Sequence, residues 1–563
     1  MLKIYQIPII LWKTLGHLKF AVTIILIFSL CLAVGTILES NQGTDYANRA
    51  MYKSIPFMAL QLLIFCSVLT ATIQRLPWKN HLAGFYVLHL GLLTLIGGSA
   101  ITYYYGVDGT MALYPKVPSQ NVELGKDQLK LFSQALAVNN NASETQATLD
   151  LPYVFSAQQL AVAWSNIKVT QYLPFADLNL SWIKSETSFP VISAQYQLQN
   201  DRFSETLTLS QHQNSDFPTS NAIGPLNVHF LPDQLFECFT KETSLGLLAW
   251  NLHTGECLAL EKNLVQTFKN KNGTELVKIK SLLLPMAFSP LEGPLPLMEN
   301  KDQLWVQSDT LPWRLFNKKL FETAPHLLLF GEGMAYYNKN SAQWENQKTS
   351  LKENKWCELP WMGFKLKLTR LDEYYYPKNI PVAVIPLQEN GQLIKGSIRA
   401  VELEYFDLNK SLTQKIWITN QAATKFLHNG VLWEAIIGKE QKTLPFEMRL
   451  SEFKMDTDPG TTNPASYESF IALRDSINAG KHHIFMNNPL KHREYTFYQA
   501  SFFQVEEGYG SVLSVNYDPG RFWKYLGSLL LVLGSFWHFA LRKWWVKYTT
   551  KRKQLNTRPS YYV

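Results

Sequence analysis

A single imidazole sits inside an apolar segment. Leu82 to Tyr104 reads LAGFYVLHLGLLTLIGGSAITYY, with His89 seven residues in, about 10 Å from the segment's start at about 1.5 Å of rise per residue. An ionisable, metal-ligating ring in hydrocarbon costs free energy unless it meets a partner, so His89 reads as a functional site. The alternative is a structural imidazole hydrogen-bonded to a neighbouring helix. His81 lies two turns earlier at the mouth of the segment, rotated by roughly 80°, beside Lys79 and Arg75. It could line an entrance, or the three could form a basic turn that sets topology, as His17 could before the first apolar segment. His538, in the last apolar segment, is the rival deep ring, with snorkelling beside Arg542 as the simpler explanation. His482 and His483 are neighbours in an expected strand and point to opposite faces, so they cannot readily ligate one metal and read as solvated.

Four segments are long enough to position such rings in a bilayer: Leu18 to Leu38, Phe57 to Ile73, Leu82 to Tyr104 and Phe522 to Leu541. A chain of 563 residues that were soluble throughout would hold several domains. Here one long polar region separates the apolar blocks. The expected fold class is an integral membrane protein of four transmembrane α-helices with a large extracytoplasmic, mainly-β, sandwich-like domain. The expected division is 1–17 cytosolic, 18–105 a three-helix unit, 106–340 and 341–521 two β-rich halves, 522–541 the fourth helix and 542–563 a basic cytosolic tail. The first segment follows Lys3 and Lys13 as a signal peptide would, but it lacks a small-x-small cleavage pattern and reads as retained.

Lys3, Lys13, Arg75, Lys79 and a tail from Arg542 to Arg558 without an acid place both termini in the cytosol and Gly106 to Arg521 outside. A basic tail abutting a span answers to topology and anionic lipid, and no nucleic-acid partner is expected. Trp12, Trp78, Trp523, Trp544 and Trp545 fall where an interfacial aromatic belt should be. Five cysteines are too few for a disulfide framework; Cys31 and Cys66 lie in spans, leaving Cys238, Cys257 and Cys357 outside with room for one pair. No CxxC or CxxCH occurs, which argues against a dithiol oxidoreductase and against covalent haem on this chain.

Glu39 to Pro56 reads as a short polar loop joining a helical hairpin, and Pro77 ends the second helix, so the first three helices should pack as one unit. Gly91, Gly97 and Gly98 would let another helix approach closely. Beyond Gly106 the period becomes two. Phe364, Leu366 and Leu368 alternate with lysines and a threonine, Val401, Leu403 and Tyr405 alternate with Glu402 and Glu404, and Ile416 and Ile418 flank Trp417. These are half-buried antiparallel strands. Pro312 to Phe321 is a candidate helix, and Asn139 to Thr148, Leu284 to Met298 and Asn338 to Asn354 are candidate seams. The runs Tyr103 to Tyr105 and Tyr374 to Tyr376 fit interfacial anchoring and strand packing.

The stretch His482 to Gln504, HHIFMNNPLKHREYTFYQASFFQ, reads as a hairpin turning at Asn487, Asn488 and Pro489. Its Asn-x-Pro-Leu turn, its YQ-S strand and the Asp518-x-Gly520 step into the last span resemble the ResB family, also called CcsB, of cytochrome c maturation system II. LKFAVTIILIFSLCLAVGTI, the third span with its H-x-G-L-L and G-x-x-G elements, and LPWMGFKLKLTRLDEYYYP are similar to the same family. Residues 116–355 carry none of this resemblance.

The resemblance implies a subunit of a cytochrome c synthase complex. It would help move haem b across the cytoplasmic membrane and present it to the CxxCH cysteines of apocytochrome c, with a ResC/CcsA-like membrane protein as partner and a thioredoxin-like thiol reductant nearby. It also implies that His89 is an axial haem ligand, with His81 at the entrance and His538 the lesser candidate. Haem iron accepts imidazole on both faces, and this chain offers one ring at depth. The chain stops about twenty residues after the fourth span, so the tryptophan-rich haem loop is expected from another polypeptide, without which this chain should not form thioethers. The alternative function is a membrane scaffold that stabilises the haem-handling partner without binding haem. A sensor or transporter is disfavoured, because the spans lack paired charges and broken helices.

Overall fold

The structure is a computed structural model. It describes residues 7–541 apart from 135–144, 165–166, 186–190, 213, 234–235, 237–246, 252–256, 261–264, 270–274, 280–281, 286–312, 323–324, 348–350, 352–353, 408–411, 429–430, 459, 461–463, 476–479 and 506–507. Lys3, the basic tail 542–563, Cys238 and most of the expected seams 139–148 and 284–298 lie outside the described residues.

Four helices are long and apolar enough to cross a membrane: Leu18–Gln42, Ile55–Ile73, Ala83–Tyr105 and Arg521–Leu541, here spans one to four. The starts of spans one and two are capped by short-range hydrogen bonds. The His17 ring caps span one, its Nδ1 accepting from Lys19 N at 3.1 Å, and Ser54 Oγ caps span two. A further helix, Ile7–Leu15, lies against span two, where Ser67 Oγ donates to Leu15 O at 2.8 Å.

The chain forms two compact units, 1–177 with 381–563, and 178–380. In the first, a ten-stranded sheet runs in the order Gly480–Ile484, Pro464–Arg474, Val431–Thr457, Pro118–Gln134, Val107–Leu113, Gly508–Tyr517, Tyr495–Val505, Leu490–His492, with Thr424–His428 and Thr145–Asp150 attached. It curls around Met111, Leu113, Met448, Ile471, Phe497 and Leu513, all buried. Ser469 Oγ on one limb reaches Ser511 Oγ at 2.8 Å and Gln499 Oε1 at 2.7 Å on the other, so the polar groups at this closure are satisfied. A second core lies between Leu129, Tyr172, Val401, Leu403, Ile418 and Ala435, where the predicted alternation of Val401, Leu403 and Tyr405 holds.

The second unit packs two sheets around Tyr196, Leu198, Leu207, Val228, Leu327 and Leu366. One is ordered Trp356–Glu358, Lys365–Asp372, Ser193–Asn200, Phe203–Ser210. The other is ordered Gln343–Gln347, Gly333–Asn338, His326–Phe330, Leu226–Phe230, Ser220–Ile223. Leu226–Phe230 and His326–Phe330 run parallel, which needs the long connection between them and departs from the antiparallel expectation. Residues 338–354, read as a seam, fall inside this unit and carry the edge strand Gln343–Gln347.

One local expectation is corrected and one completed. Pro312 to Phe321 is not an α-helix. Trp313–Asn317 is a strand paired with Leu247–Asn251, and only Lys318–Glu322 winds, as a 3-10 turn; sheet pairing overrides local helical propensity. The stretch 482–504 turns twice: at Met486 and Asn487, where Asn488 N donates to Phe485 O at 3.0 Å and Asn487 holds φ of 64°, and again at Arg493 and Glu494, which the sequence reading missed. Leu490–His492 pairs with Tyr495–Val505, whereas Gly480–Ile484 pairs with Pro464–Arg474. Arg493 and Glu494 hold φ of 45° and 68°, a conformation Asn or Gly would favour. The turn is tied down from the side: the buried Asp475 carboxylate meets Arg493 at 2.7 Å and His492 at 2.6 Å.

Span three packs most extensively against span four and also contacts span two. Strand Val107–Leu113 leaves span three, strand Gly508–Tyr517 enters span four, and the two strands pair from Val107 with Tyr517 to Leu113 with Ser511. The helices must therefore start side by side. Glycines then recur every seven residues on each, at 84, 91 and 98 and at 520, 527 and 534. A Cβ at Gly91 would meet Gly527 O at 2.8 Å, one at Gly527 would meet Leu95 N at 2.6 Å, and one at Gly98 would meet Trp523 Cβ at 2.9 Å. Backbones this close gain dispersion contacts that larger residues forbid in lipid. At the strand end of the pair Thr102 Oγ1 donates to Asp518 Oδ1 at 2.5 Å and Lys524 Nζ to Asp518 Oδ2 at 2.6 Å. Burial works against the Asp518 charge, but these donors outweigh it and hold its carboxyl below the usual range.

Gly527→Ala should cost about 1–3 kcal/mol, because the new methyl meets backbone that cannot yield. Gly97, where a Cβ meets nothing within 4 Å, is the matched control. The thermal midpoint of the detergent-solubilised chain should fall for Gly527→Ala and stay put for Gly97→Ala; equal midpoints would refute the close-packed interface.

Candidate functional site

His89 lies half-buried on span three. Its Nδ1 is 2.9 Å from Phe85 O, and since a carbonyl only accepts, Nδ1 must carry the proton. That leaves Nε2 with its lone pair and no hydrogen-bond partner among the described residues. This is the arrangement a metal-ligating histidine needs, one nitrogen oriented by the backbone and the other presented. The Phe85 ring lies against the imidazole with centroids 3.7 Å apart, and the Arg75 guanidinium sits 4.6 Å over the other partner of that stack, Phe85. Arg75, Phe85 and His89 thus form a continuous column from the end of span two into span three. Tyr86 braces it, donating from its hydroxyl to Arg75 O at 2.7 Å and stacking on Trp78 at 4.6 Å.

The other predicted rings occupy different places. His81 is exposed in the short turn Asn80–Leu82, beside the exposed Lys79 and outside the column. His538 lies in a π-helical turn, Trp537–Leu541, that ends span four. Its backbone N and Cα come within 2.6 and 2.8 Å of where a Gly84 Cβ would stand, about one and a half turns before His89. Its Nδ1 is buried and makes no hydrogen bond among the described residues. His482 and His483 lie on strand Gly480–Ile484, with His483 bonded to Glu468 at 2.6 Å and stacked on Phe470. Cys357 carries a free thiol, and among the described residues no cluster of three or more His, Cys, Asp or Glu could hold a metal ion.

A second constellation escaped the sequence reading. The loop after span one, read as merely short and polar, winds into Thr44–Ala47 and a π-turn, Asn48–Tyr52, which buries Arg49. Arg49 pairs with Asp127 at 2.6 Å and Asp45 at 3.0 Å. Asp127 also meets Lys439 at 2.7 Å, Arg399 at 3.1 Å and the Tyr172 hydroxyl at 2.7 Å, and Arg399 returns to Asp45 at 2.8 Å. Three cations surround two carboxylates. Burial opposes the Asp127 charge, yet Arg399, Lys439 and Arg49 prevail and hold its carboxyl at about 2. Burial, followed by the Asp45 charge, pushes the Tyr153 hydroxyl up to about 12, and burial with Arg399 depresses Lys439. The local signal was Asp45 four residues before Arg49 on a turn of helix; the partners at 127, 399 and 439 are visible only in space.

Because Asp127 titrates lower folded than unfolded, its contribution is present above about pH 4 and is lost as pH falls toward 2. The shift from 3.8 to about 2 corresponds to about 2 kcal/mol. Asp127→Asn should abolish that acid-dependent component and cost about 3–5 kcal/mol at neutral pH by stranding buried cations. Tryptophan fluorescence followed through acid titration reads both, and an unchanged acid limb in the variant would exclude Asp127 as its source.

The sequence model of the ResB-like family matches residues 410–510. Those residues hold the strands from Leu412–Thr419 to Tyr495–Val505, most of the ten-stranded sheet's outer limbs, and not His89. Protein NrfI of Wolinella succinogenes is 35% identical over 145 residues, covering 24% of this chain and 16% of the relative. The chain thus spans 16% of the length of that curated relative. Over residues 410–510, the chain is similar to the ResB-like family.

Proposed function

We propose that this chain is the ResB-like subunit of a cytochrome c maturation complex in the cytoplasmic membrane. It takes haem as cargo from the cytosolic side and hands it on toward apocytochrome c outside, together with a ResC/CcsA-like membrane protein. The observation that carries the reading is the state of His89, with Nδ1–H given to Phe85 O and Nε2 left open on a helix that is long and apolar enough to cross a membrane. The ResB-like match supports the cytochrome c setting, and the fit of His89 to an axial ligand supports the haem.

In this reading the chain's residues orient and screen rather than react. The backbone of Phe85 sets the imidazole tautomer, the Phe85 ring limits its rotation, and Arg75 at the mouth of the column offers a guanidinium to a propionate. The opposite ligand and the step that joins haem to CxxCH thiols belong to the partner. The termini are cytosolic and the β-rich units external.

The test is His89→Ala in the chain co-expressed with its ResC-like partner. The purified complex should lose its Soret band, and added imidazole should restore it by filling the vacated ligand position. His538→Ala should leave the band in place. A complex that keeps normal haem without His89 would leave the scaffold function instead.

A further inference from the structure

An apolar hairpin with no assigned role stands beside the bilayer end of span one. Leu387–Glu389 and Gln392–Lys395 form a two-stranded sheet of their own, preceded by the run Val-Ala-Val-Ile-Pro at 382–386. Ile385 is 68% exposed, Ile394 58%, Leu387 46% and Val382 43%. The polar residues Glu389, Asn390 and Gln392 occupy the tip, so the apolar surface is at the root.

This surface is held rigidly. Val384 N donates to Phe175 O at 3.1 Å and Gly396 N to Asp177 Oδ1 at 2.8 Å. Gly396, at φ 76°, lies so close to Pro386 that a Cβ would meet it at 2.9 Å. A fixed apolar patch on a soluble surface marks something that covers it.

Its position says what. Next to the last residue of span one, a Cβ at Gly43 would come within 2.9 Å of Gln388 Oε1 and 3.6 Å of Leu393 Cδ2. Gly43 follows the apolar stretch ending at Leu38 by five residues, about 7.5 Å along the helix. The headgroup layer beyond the hydrocarbon is about 5–7 Å thick on each side. The Gln388–Leu393 pair, between the apolar root and the tip, therefore stands at the level of the headgroups.

We propose that this hairpin is a membrane-interface anchor, bedding Val382, Ile385, Leu387 and Ile394 at the boundary of headgroups and acyl chains. Lys395, exposed at the same root, lies within reach of lipid phosphate. The hairpin lies along the interface rather than plunging in, because its tip is polar. The proposal rests on spans one to four crossing the bilayer and not on haem.

The full chain is reconstituted in vesicles of phosphatidylcholine and phosphatidylglycerol doped with a phospholipid that carries a photoactivatable diazirine near the headgroup, and adducts are mapped by peptide mass. Adducts should appear on residues 382–395 as well as on the spans. The double variant Ile385→Asn, Ile394→Asn should lose most hairpin adducts while those on the spans persist. Adducts confined to the spans would overturn the anchor, and so would a hairpin shielded only when a second membrane protein is co-expressed, which would make the occupant protein. Absence of adducts on the spans too would remove the membrane reading on which the anchor rests, leaving the haem test to stand separately.

Discussion

Everything near the bilayer depends on how closely two backbones approach one another at Gly91 and Gly527. Most side chains elsewhere on spans three and four are apolar, and lipid satisfies them as well as a neighbour would. Contact must come from shape. Glycine at every seventh position puts one flat stripe on each helix, and a seven-residue repeat keeps the stripes together with a left-handed crossing. The sheet imposes the same pairing at the helix ends, through Val107 opposite Tyr517. His89 inherits its place from this agreement between strand register and helix packing.

The ionic cluster around Arg49 and Asp127 solves a different problem. A loop between two spans has little apolar surface with which to hold a β domain. Buried charges are poor sources of net stability, since desolvation offsets most of the attraction. They are demanding about geometry, however: Asp127 is satisfied only if Arg49, Arg399 and Lys439 arrive together from three distant parts of the chain. The cluster thus sets one docking arrangement for the loop after span one.

The spans and the strand alternation were legible because each depends on composition over a short window. The period of two at Val401, Leu403 and Tyr405 appears as burial on one face, and the four apolar blocks appear as helices within a few residues of their expected ends. His89 was legible as an ionisable residue where none is expected. What the sequence could not show is whatever rests on distant pairing. Arg49 and Asp127 are 78 residues apart and Asp127 and Lys439 312, so nothing local distinguishes them from solvated charges. Turn chemistry found the turn at Asn487 but not the second one, because Asp475 from a distant part of the chain holds Arg493 and Glu494 at positive φ. The close neighbour of span three is set by strand order rather than chain order, through Val107–Leu113 paired with Gly508–Tyr517.

Gly106 is the only residue between span three and its strand, and Pro519 and Gly520 are nearly all that follows Asp518 before span four. With no slack at either junction, a twist of the sheet about its own axis has to be delivered as rotation of the two rods joined to it. The orientation of the sheet and the facing of the His89 imidazole are consequently geared to each other, without any relay of side chains between them.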